Sequence, residues 1–349
     1  MPPRSPLPPR LGLDPAWLSS ATREGEPPSG WPLMRDWLVH RVGKHVDVDA
    51  FIAAGRFVTE SGAPVLATDP FRRNRFVWFY RDLPEETPVP GRVRVLFRDD
   101  RILVVDKPAF LSTIPRGMHV RESVVVRLRH ELGLPELTPM HRLDRVTSGL
   151  LLLSTERRWR GAYQTLFQDG EVTKTYRAVA PIRGDLALPT TVRNHISKQR
   201  GIMQAAVVEG AAPNAESLVE FERALSAEEE AALGGAGGGV AGGGVADVGH
   251  GAGVGHGAGS GSAGSGRGVY RLTPRTGKTH QLRLHLSGLG IPIEGDPLYP
   301  AVRDVPVDDF STPLQLLASE LRFTDPVDGS DRTFVSGLRI PLAADTPPE

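Results

Sequence analysis

The sequence contains no cysteine among its 349 residues. This absence excludes disulfide bonds, thiolate nucleophiles and cysteine-based zinc sites, and it is typical of proteins from a reducing compartment. The chain also lacks an excess of charge of either sign, with 41 Lys and Arg residues against 41 Asp and Glu. Whole-chain charge therefore indicates no partner, and any surface for nucleic acid would have to be a local basic one.

Long apolar runs are missing as well. The opening stretch MPPRSPLPPRLGLDP lacks the apolar segment of a signal peptide, and no run approaches the ~20 apolar residues of a membrane-spanning helix. We therefore expect a cytoplasmic protein with no membrane partner. The length predicts about two domains, and 40% hydrophobic residues suffice for a sizeable core.

The N-terminal part of the chain changes composition near residue 30. Residues 1–30 are rich in proline and polar residues, which predicts a disordered arm. Residues 31–91 predict a small α/β unit whose first helix carries Leu33, Trp37 and Leu38 at helical spacing. A second short helix, strands at 57–59 and 64–67, and exposed arginines complete this predicted unit.

The remainder of the chain, residues 92–349, predicts one α+β domain with a mostly antiparallel mixed sheet. Its strands and helices do not alternate regularly, which argues against a parallel α/β fold. The predicted strands are VRVLFRD, RILVVDKP, GLLLLS, VTKTYRAVAP and one that ends at Pro274, and the predicted helices are RESVVVRLRHELG, ERRWRGAYQTLFQDG and one that begins after Thr279 as its cap.

A glycine-rich tract interrupts this domain between residues 227 and 268. Its sequence, which includes GGAGGGVAGGGVADVGHGAGVGHGAGSGSAGSGRG, cannot pack a core and predicts a flexible insertion. His250 and His256 raise the alternative of a metal-binding tract. With so few ligands, a solvated linker is the better interpretation, and we expect no metal site.

Three patches carry candidate chemistry. The first is His141-Arg142-Leu143-Asp144 followed by a Thr-Ser-Gly step, which alone could be an arginine–aspartate pair in a loop. The second is Tyr176 in a strand, where packing is the ordinary role of tyrosine. The third is PRTGKTHQLRLHLSGLGIPIEGDPLY, residues 274–299, whose turn before a helix could hold an anion or merely connect two elements.

In this order the three patches resemble the RluA-type pseudouridine synthases. That family has H-R-L-D-x-x-T-S-G, then a K-x-Y strand, then T-G-R/K-x-H-Q-L/I-R-x-H, and its loop before the first motif is similar to VVDKPAFLSTIP here. The resemblance covers residues 93–335, interrupted by the glycine-rich tract. It implies the pseudouridine-synthase fold and isomerisation of uridine in rRNA or tRNA by a cofactor-free monomer.

The resemblance also implies a role for each matching residue. Asp144 corresponds to the catalytic aspartate, Tyr176 to the tyrosine that stacks on the flipped base, and Arg283 to the arginine that pairs with the aspartate. Arg142 corresponds to the arginine that enters the RNA helix and helps push the uridine out. Leu316 corresponds to the apolar residue against the base.

Further residues are expected around that set. His141, Lys278 and His280 are predicted to contact substrate. Basic residues predicted to contact the RNA backbone are Arg116, Arg121, Arg127, Arg129, Lys198 and Arg200. Two positions depart from the family, which usually has glycine where Phe110 stands and often histidine where Leu317 stands, so the shape of the pocket is expected to differ locally.

The residues leave the chemistry open at one point. A carboxylate can attack the anomeric carbon of the sugar or carbon 6 of the ring, or it can remove a proton from the sugar. A neighbouring guanidinium would keep such a carboxylate charged in a dry pocket. A non-catalytic RNA-binding protein and a nucleoside hydrolase are the competing hypotheses. The unit of residues 31–91 resembles the small RNA-binding module of ribosomal protein S-four, and a packing appendage is the alternative.

Overall fold

The structure is a computed structural model that describes residues 2–22, 30–117, 119–235 and 266–343. It contains two compact units, one of residues 1–86 with 126–135 and one of residues 87–125 with 136–349. Within the described ranges, no helix is long and apolar enough to cross a membrane.

The first unit packs two helices with a three-stranded antiparallel sheet. The strands lie in the order β1 (Ala16–Ser19), β3 (Phe76–Phe79) and β2 (Val58–Thr59), and the helices are α1 (Met34–Val42) and α2 (Val48–Ala53). Asp47 caps α2 by accepting a 3.0 Å hydrogen bond from the backbone N–H of Ala50. Trp37 and Phe57, both fully buried, lie at the centre of the core.

Two sequence predictions for this unit are wrong. The expected disordered arm contains β1, in which Trp17 lies opposite Trp78 of β3. The strand expected at 64–67 is reduced to an isolated bridge between Val58 and Pro64. Because proline lacks the N–H that a sheet requires, that segment cannot extend the pairing, and β3 takes its place beside β2.

The second unit is built on one ten-stranded sheet. Eight strands form its path in the order β4 (Arg94–Arg98), β5 (Ile102–Lys107), β7 (Ser148–Ser154), β14 (Leu316–Thr324), β8 (Thr173–Pro181), β13 (Arg267–Pro274), β12 (Ala215–Ala224) and β9 (Thr190–Asn194). β6 (Thr138–Pro139) pairs with β7, and β15 (Asp331–Val335) pairs with β14. All these pairs are antiparallel except β7 with β14, which confirms the predicted α+β class and mostly antiparallel sheet.

Helices cover this sheet or flank it. The helical segments of this unit are a 3₁₀ helix (Arg157–Trp159), α4 (Arg160–Gln168), α5 (Ala227–Gly235) and α6 (Gln281–Gly288). Helix α3 (Val124–Leu132) begins in this unit, and its residues from 126 onward belong to the first unit. A separate hairpin joins β10 (Ile196–Ser197) to β11 (Ala206–Val207). Tyr163 and Leu166 of α4 pack on Leu150 and Leu152 of β7. The apolar run of β7 is therefore buried on both faces, as its continuous hydrophobicity predicts.

The predicted glycine-rich insertion is shorter than expected at both ends. Residues 227–235 form α5, because their alanines and glutamates favour a helix, and Arg267 and Gly268 already belong to β13. Glu230 of α5 binds Arg267 through a 2.6 Å bond to its backbone N–H and a 2.7 Å bond to Nε. The tract between them, residues 236–265 with His250 and His256, lies outside the described residues.

Candidate active site

Asp144 lies in a loop between β6 and β7 whose backbone is pinned on both sides. The Thr113 hydroxyl donates to the carbonyl of Leu143 at 2.9 Å and accepts from its N–H at 3.2 Å. On the other side, the Lys107 ammonium donates to the carbonyl of Arg145 at 3.0 Å. The two neighbours of Asp144 are thus fixed by the end of β5 and the loop that follows it, and so is the direction of the carboxylate.

Lys107 itself is fully buried, and its hydrogen-bond partners among the described residues are carbonyls rather than carboxylates. Its Nζ also donates to the carbonyls of Pro108 at 2.9 Å and Leu111 at 2.8 Å, so all three ammonium hydrogens have acceptors. Burial lowers the pKa of Lys107 to about 7, partly opposed by the negative charge of Asp144. Sequence reasoning did not single out this residue.

Arg283 faces the Asp144 carboxylate from helix α6. Its Nη1 lies 3.4 Å from Asp144 Oδ2, and His280 Nε2 lies 3.9 Å from the same oxygen. Arg283 is bound more closely by Asp296, through Nε to Oδ2 at 2.8 Å and Nη2 to Oδ1 at 2.6 Å. Burial alone would lower the pKa of Arg283, but its bonds to Asp296 raise it, so the guanidinium stays charged.

The turn before α6 orients His280. The predicted cap, Thr279, is wrong: His280 occupies the cap position with φ 57°, and no side chain caps the helix. The turn is closed instead by Gln281, whose Oε1 accepts from the Lys278 N–H at 3.0 Å and the Thr276 hydroxyl at 2.8 Å. The left-handed backbone of His280 is strained for a non-glycine residue, and strain of this kind is common at functional sites.

A small pocket of about 100 Å³ brings together most of the residues predicted from the sequence. It is lined by the predicted catalytic and substrate-contacting side chains Arg142, Asp144, Tyr176, Lys278, His280, Arg283 and Leu316. Its volume is several times the roughly 10–15 Å³ that a single water molecule requires, so the pocket is on the scale of one small ring. Four separate parts of the chain converge here: the loop before β7, strand β8, the turn and first residues of α6, and the start of β14.

Tyr176 contributes a neutral hydroxyl to this pocket. Burial, together with the negative charge of Asp144, raises the pKa of Tyr176 far above its ordinary value. The phenol therefore stays protonated at neutral pH. In the free protein it can stack and donate a hydrogen bond, whereas ionising it so that it can accept a proton is costly.

A larger cleft of about 1510 Å³ shares several lining residues with the small pocket, among them Asp144, Tyr176 and Arg283, and concentrates positive charge. Ten basic residues line it, against three aspartates at 144, 169 and 309; they are Arg116, Arg142, Arg145, Lys174, Lys198, Arg200, Arg275, Lys278, Arg283 and Arg303. Of the residues predicted to contact the RNA backbone, Arg116, Lys198 and Arg200 lie here. Arg121 does not line the cleft, and Arg129 pairs with Asp14 at 2.9 Å in the first unit.

His141 has a packing role that the sequence did not indicate. Its Nε2 accepts from the backbone N–H of Leu152 in β7 at 3.1 Å, and its ring stacks on Phe167 with centroids 4.7 Å apart. Burial, with a smaller contribution from Lys174, lowers the pKa of His141 to about 3. The neutral imidazole therefore ties the Asp144 loop to the sheet, and its Nε2 is already occupied.

The two departures from the family pattern have different consequences. Phe110 lines the large cleft with φ 65°, packs against the Phe310 ring at 5.5 Å and lies beneath the Arg145 guanidinium at 5.8 Å. Phe110 thus adds an aromatic ring to the wall of the cleft at a position whose backbone conformation favours glycine. Leu317 instead packs in the core with Val179, so the expectation that it alters the pocket is wrong.

Further residues of the site escaped sequence reasoning. Asp296 and Tyr299 follow Gly295 in a turn with φ 75° at the glycine. Lys174, the lysine of the K-x-Y motif, was given no role from the sequence and lines both cavities from β8. The available signal for Asp296 was the Gly-Asp step in IPIEGDPLY, an otherwise apolar stretch whose other acidic residue is Glu294. Among the described residues, no group of three or more His, Cys, Asp or Glu is arranged to hold a metal ion.

Known proteins with similar sequences share this region. The sequence profile of the RNA pseudouridylate synthase family matches residues 101–288. The dual-specificity RNA pseudouridine synthase RluA of Vibrio parahaemolyticus is 31% identical over 238 residues, which are 66% of this chain and 78% of that protein. The mitochondrial tRNA pseudouridine(32) synthase of Saccharomyces cerevisiae is 29% identical over 215 residues, 61% of this chain and 38% of that protein.

A solved structure is similar as well. Human RNA pseudouridylate synthase domain containing 1 is 23% identical and superposes with a TM-score of 0.48, covering 72% of this chain and 85% of that one. The profile match spans the Asp144 loop, Tyr176 and Arg283, which line the small pocket. The chain belongs to the RNA pseudouridylate synthase family and is an RluA-type isomerase that converts uridine to pseudouridine in RNA.

Proposed function

We propose that Asp144 is the catalytic carboxylate and that the small pocket holds the uracil ring of the target nucleotide. The observation that carries this proposal is the convergence of Asp144, Tyr176 and Arg283 on one ring-sized pocket. Asp144 is 31% exposed at its side chain, so its oxygens are accessible to a bound nucleotide. Leu316, which is buried, supplies an apolar surface for the ring.

The reaction itself supports a mechanism without a cofactor. The bond between the sugar and ring nitrogen 1 breaks, a bond from the sugar to ring carbon 5 forms, the proton of carbon 5 leaves, and ring nitrogen 1 gains a proton. Substrate and product have the same atoms and oxidation state, so no electron acceptor or energy source is required. Asp144 assists bond breakage by attack on the sugar, by attack on the ring or by removing a sugar proton, and these three routes stay open.

We further propose that the enzyme flips the uridine out of a folded RNA. A base inside a helix cannot reach a recessed pocket, and extruding it costs a few kcal/mol. Arg142 is exposed at the mouth of the pocket, where its planar guanidinium can replace the lost stacking. Tyr176, with its protonated hydroxyl, can stack on the extruded base and donate a hydrogen bond to it.

The basic cleft supports a structured RNA, rRNA or tRNA, as the substrate. Phosphates would be bound by exposed side chains around the pocket, including Arg116, Lys198 and Arg200. The names of the two relatives refer to dual RNA specificity and to tRNA, respectively. We propose that the enzyme acts as a monomer, since residues of a single chain line the pocket and the cleft.

The Asp144→Asn variant tests the catalytic assignment. Asparagine keeps the shape of the side chain but is neither a nucleophile nor a base at neutral pH. We expect tritium release from RNA labelled at carbon 5 of uracil to fall by more than ~10³-fold. RNA affinity should change less than about threefold, because the cationic side chains of the cleft are retained.

Two outcomes would favour the competing hypotheses. Unchanged pseudouridine formation by Asp144→Asn would contradict the catalytic role, and the absence of tritium release from wild-type protein that binds RNA would support a non-catalytic RNA-binding protein. A hydrolase would release free uracil, which chromatography of the reaction would detect. The assay RNA is total cellular RNA from cells that lack the gene, so that both rRNA and tRNA targets are present.

A further inference from the structure

The guanidinium of Arg283 has two carboxylate neighbours that it contacts unequally. Two of its nitrogens bind Asp296, at 2.8 and 2.6 Å, whereas the third reaches Asp144 at 3.4 Å. The side chains of Arg283 and Asp296 are 2% and 1% exposed, against 31% for Asp144. The close, bidentate ion pair between Arg283 and Asp296 is therefore buried. Asp144, which is more exposed, contacts only the remaining nitrogen of the guanidinium, Nη1.

Asp296 is itself held in place by backbone groups. Its Oδ1 accepts from the N–H groups of Leu298 at 2.8 Å and Tyr299 at 3.2 Å. Gly295 precedes it at φ 75°, and a β-carbon there would collide with the carbonyl of Pro313. The turn thus fixes the carboxylate before any substrate binds, which is the condition for a group that orients another.

Tyr299 supports Arg283 from a second direction. Its ring lies 5.4 Å from the guanidinium carbon, and its hydroxyl contacts His280 Nδ1 at 2.9 Å. The same hydroxyl accepts from the Ala205 N–H at 2.7 Å. Arg283 is consequently enclosed by a buried carboxylate and an aromatic ring, so its position is set by contacts made without the substrate.

We propose that Asp296 is a positioning residue for the reaction at Asp144 and that it acts through Arg283. This inference rests on the proposed function, in which Asp144 is the catalytic carboxylate. By taking Nε and Nη2, Asp296 leaves Arg283 only one nitrogen for Asp144. Without Asp296, the guanidinium is free to form a two-pronged pair with Asp144 and to occupy the oxygens that must reach the nucleotide.

The Asp296→Asn variant tests the contact of Asp296 with Arg283 while it keeps the hydrogen bonds that hold the turn. The asparagine oxygen can still accept from the N–H groups of Leu298 and Tyr299, but its amide nitrogen would meet Arg283 Nε donor to donor. We expect the single-turnover rate of tritium release to fall by about 10- to 100-fold, since small displacements of a catalytic constellation have effects of that size. RNA affinity, measured on the same labelled total RNA, should stay within about twofold.

A double-mutant cycle shows whether Asp296 acts through the guanidinium. Lysine at position 283 keeps the charge but has no fork for two oxygens to bind. In the Arg283→Lys background, Asp296→Asn should therefore change the rate by less than about twofold. If Asp296→Asn instead acts only by disturbing the turn, it would reduce the rate by the same factor in wild-type and in Arg283→Lys protein. That result would overturn the proposal.

The outcomes for the proposal and for the proposed function are distinct. Inactive wild-type protein or active Asp144→Asn would overturn the proposed function. An active wild type, an inactive Asp144→Asn and a wild-type rate for Asp296→Asn would overturn the role of Asp296 alone. If Asp296→Asn does not fold, Asp296→Glu replaces it, because glutamate keeps the carboxylate but displaces it by one methylene. The single-turnover rate of Asp296→Glu is expected to fall about tenfold. A wild-type rate for this variant would contradict the proposal.

Discussion

Lys107 illustrates how one buried side chain can shape a loop that it does not belong to. Its ammonium holds the carbonyls of Pro108, Leu111 and Arg145 together, so the loop after β5 and the Asp144 loop share one anchor. A charged group buried without a counter-ion is costly, and it is kept only where hydrogen bonds satisfy it. Lys107 lies in the family-like stretch VVDKPAFLSTIP, but its contact with the Asp144 loop is a tertiary interaction that the sequence pattern does not report.

We predict that Lys107→Met destabilises the protein by about 3 kcal/mol, because three buried carbonyls lose their donor. The folded-state pKa of about 7 lies below the unfolded value of ~10.4, so the unfolded chain binds more protons at this site between those pH values. The wild-type contribution therefore grows as pH rises. The stability difference between wild type and variant should widen by on the order of 1–2 kcal/mol from pH 7 to pH 9.

Urea unfolding at the two pH values measures this difference. Lys198→Met is a matched control, because Lys198 also donates to backbone carbonyls, those of Gln199 and Ile202, but is exposed. Its stability should change by less than about 0.5 kcal/mol. A gap that narrows toward pH 9 would contradict the assignment of a lowered pKa to Lys107.

At the scale of elements, the site depends on how closely β7 approaches β14. These strands form the parallel pair of the sheet, and Gly149 lies opposite Ala318 with φ 106°. A β-carbon at Gly149 would collide with the carbonyl of Ala318 and lie 2.8 Å from its nitrogen. The strand that leaves the Asp144 loop and the strand that carries Leu316 can therefore meet only through a glycine.

We predict that Gly149→Ala destabilises the second unit by about 3 kcal/mol or more, since it adds a backbone collision to an unfavourable φ. Thermal unfolding followed by circular dichroism measures the change. Gly161→Ala is the matched control, because Gly161 lies in helix α4 and a β-carbon there meets nothing within 4 Å. That substitution should stabilise the protein by about 0.5–1 kcal/mol; equal effects at both positions would contradict the close-approach argument.

The elements that the sequence predicted well are those with long internal patterns. The apolar run of β7 and the alternating β8 define strands by themselves, and the stripe of α4 defines its buried face. β1 and β3 have only four residues each and are stabilised by pairing across about sixty residues of chain, a distance that no local pattern reports.

The same distinction applies to the site. Asp144, Tyr176 and Arg283 could be predicted because each lies in a motif with fixed spacing, and the structure brings them to one pocket. Asp296 and Lys107 could not be predicted, because their roles depend on tertiary contacts. The turn at Gly295 directs Asp296 toward Arg283. Lys107 is buried beneath the Asp144 loop, where it donates to backbone carbonyls. Thr279 failed as a cap because Gln281 closes the turn from inside the helix.

At the scale of the whole molecule, charge is balanced in sum but not in distribution. The chain has 41 basic and 41 acidic residues, whereas the cleft is lined by ten basic residues and three aspartates. Many of the acids lie in pairs elsewhere, such as Glu230 with Arg267 and Asp82 with Arg56. The uneven distribution of charge over the surface, rather than the net charge of the chain, therefore produces the positive potential of the cleft that attracts RNA.

We predict that removing residues 236–265 leaves the enzyme active. Glu230 and Arg267 join the two ends of this tract by three hydrogen bonds, so a short turn can connect α5 to β13. Tritium release should stay within about twofold of wild type, and Tm within a few degrees. The deletion combined with Arg267→Ala should unfold at a lower temperature than either change alone; a tenfold loss of activity in the simple deletion would show that the tract contributes to catalysis.

The parallel neighbour of β7 also has a consequence for synthesis of the protein. Leu316 and the strand that carries it follow Asp144, Tyr176 and Arg283 in the sequence, yet they complete the pocket and lie near the centre of the sheet. During synthesis, Asp144 thus emerges before the strand that completes the pocket around it. The pocket can therefore be completed only after β14 has been synthesised and inserted between β7 and β8.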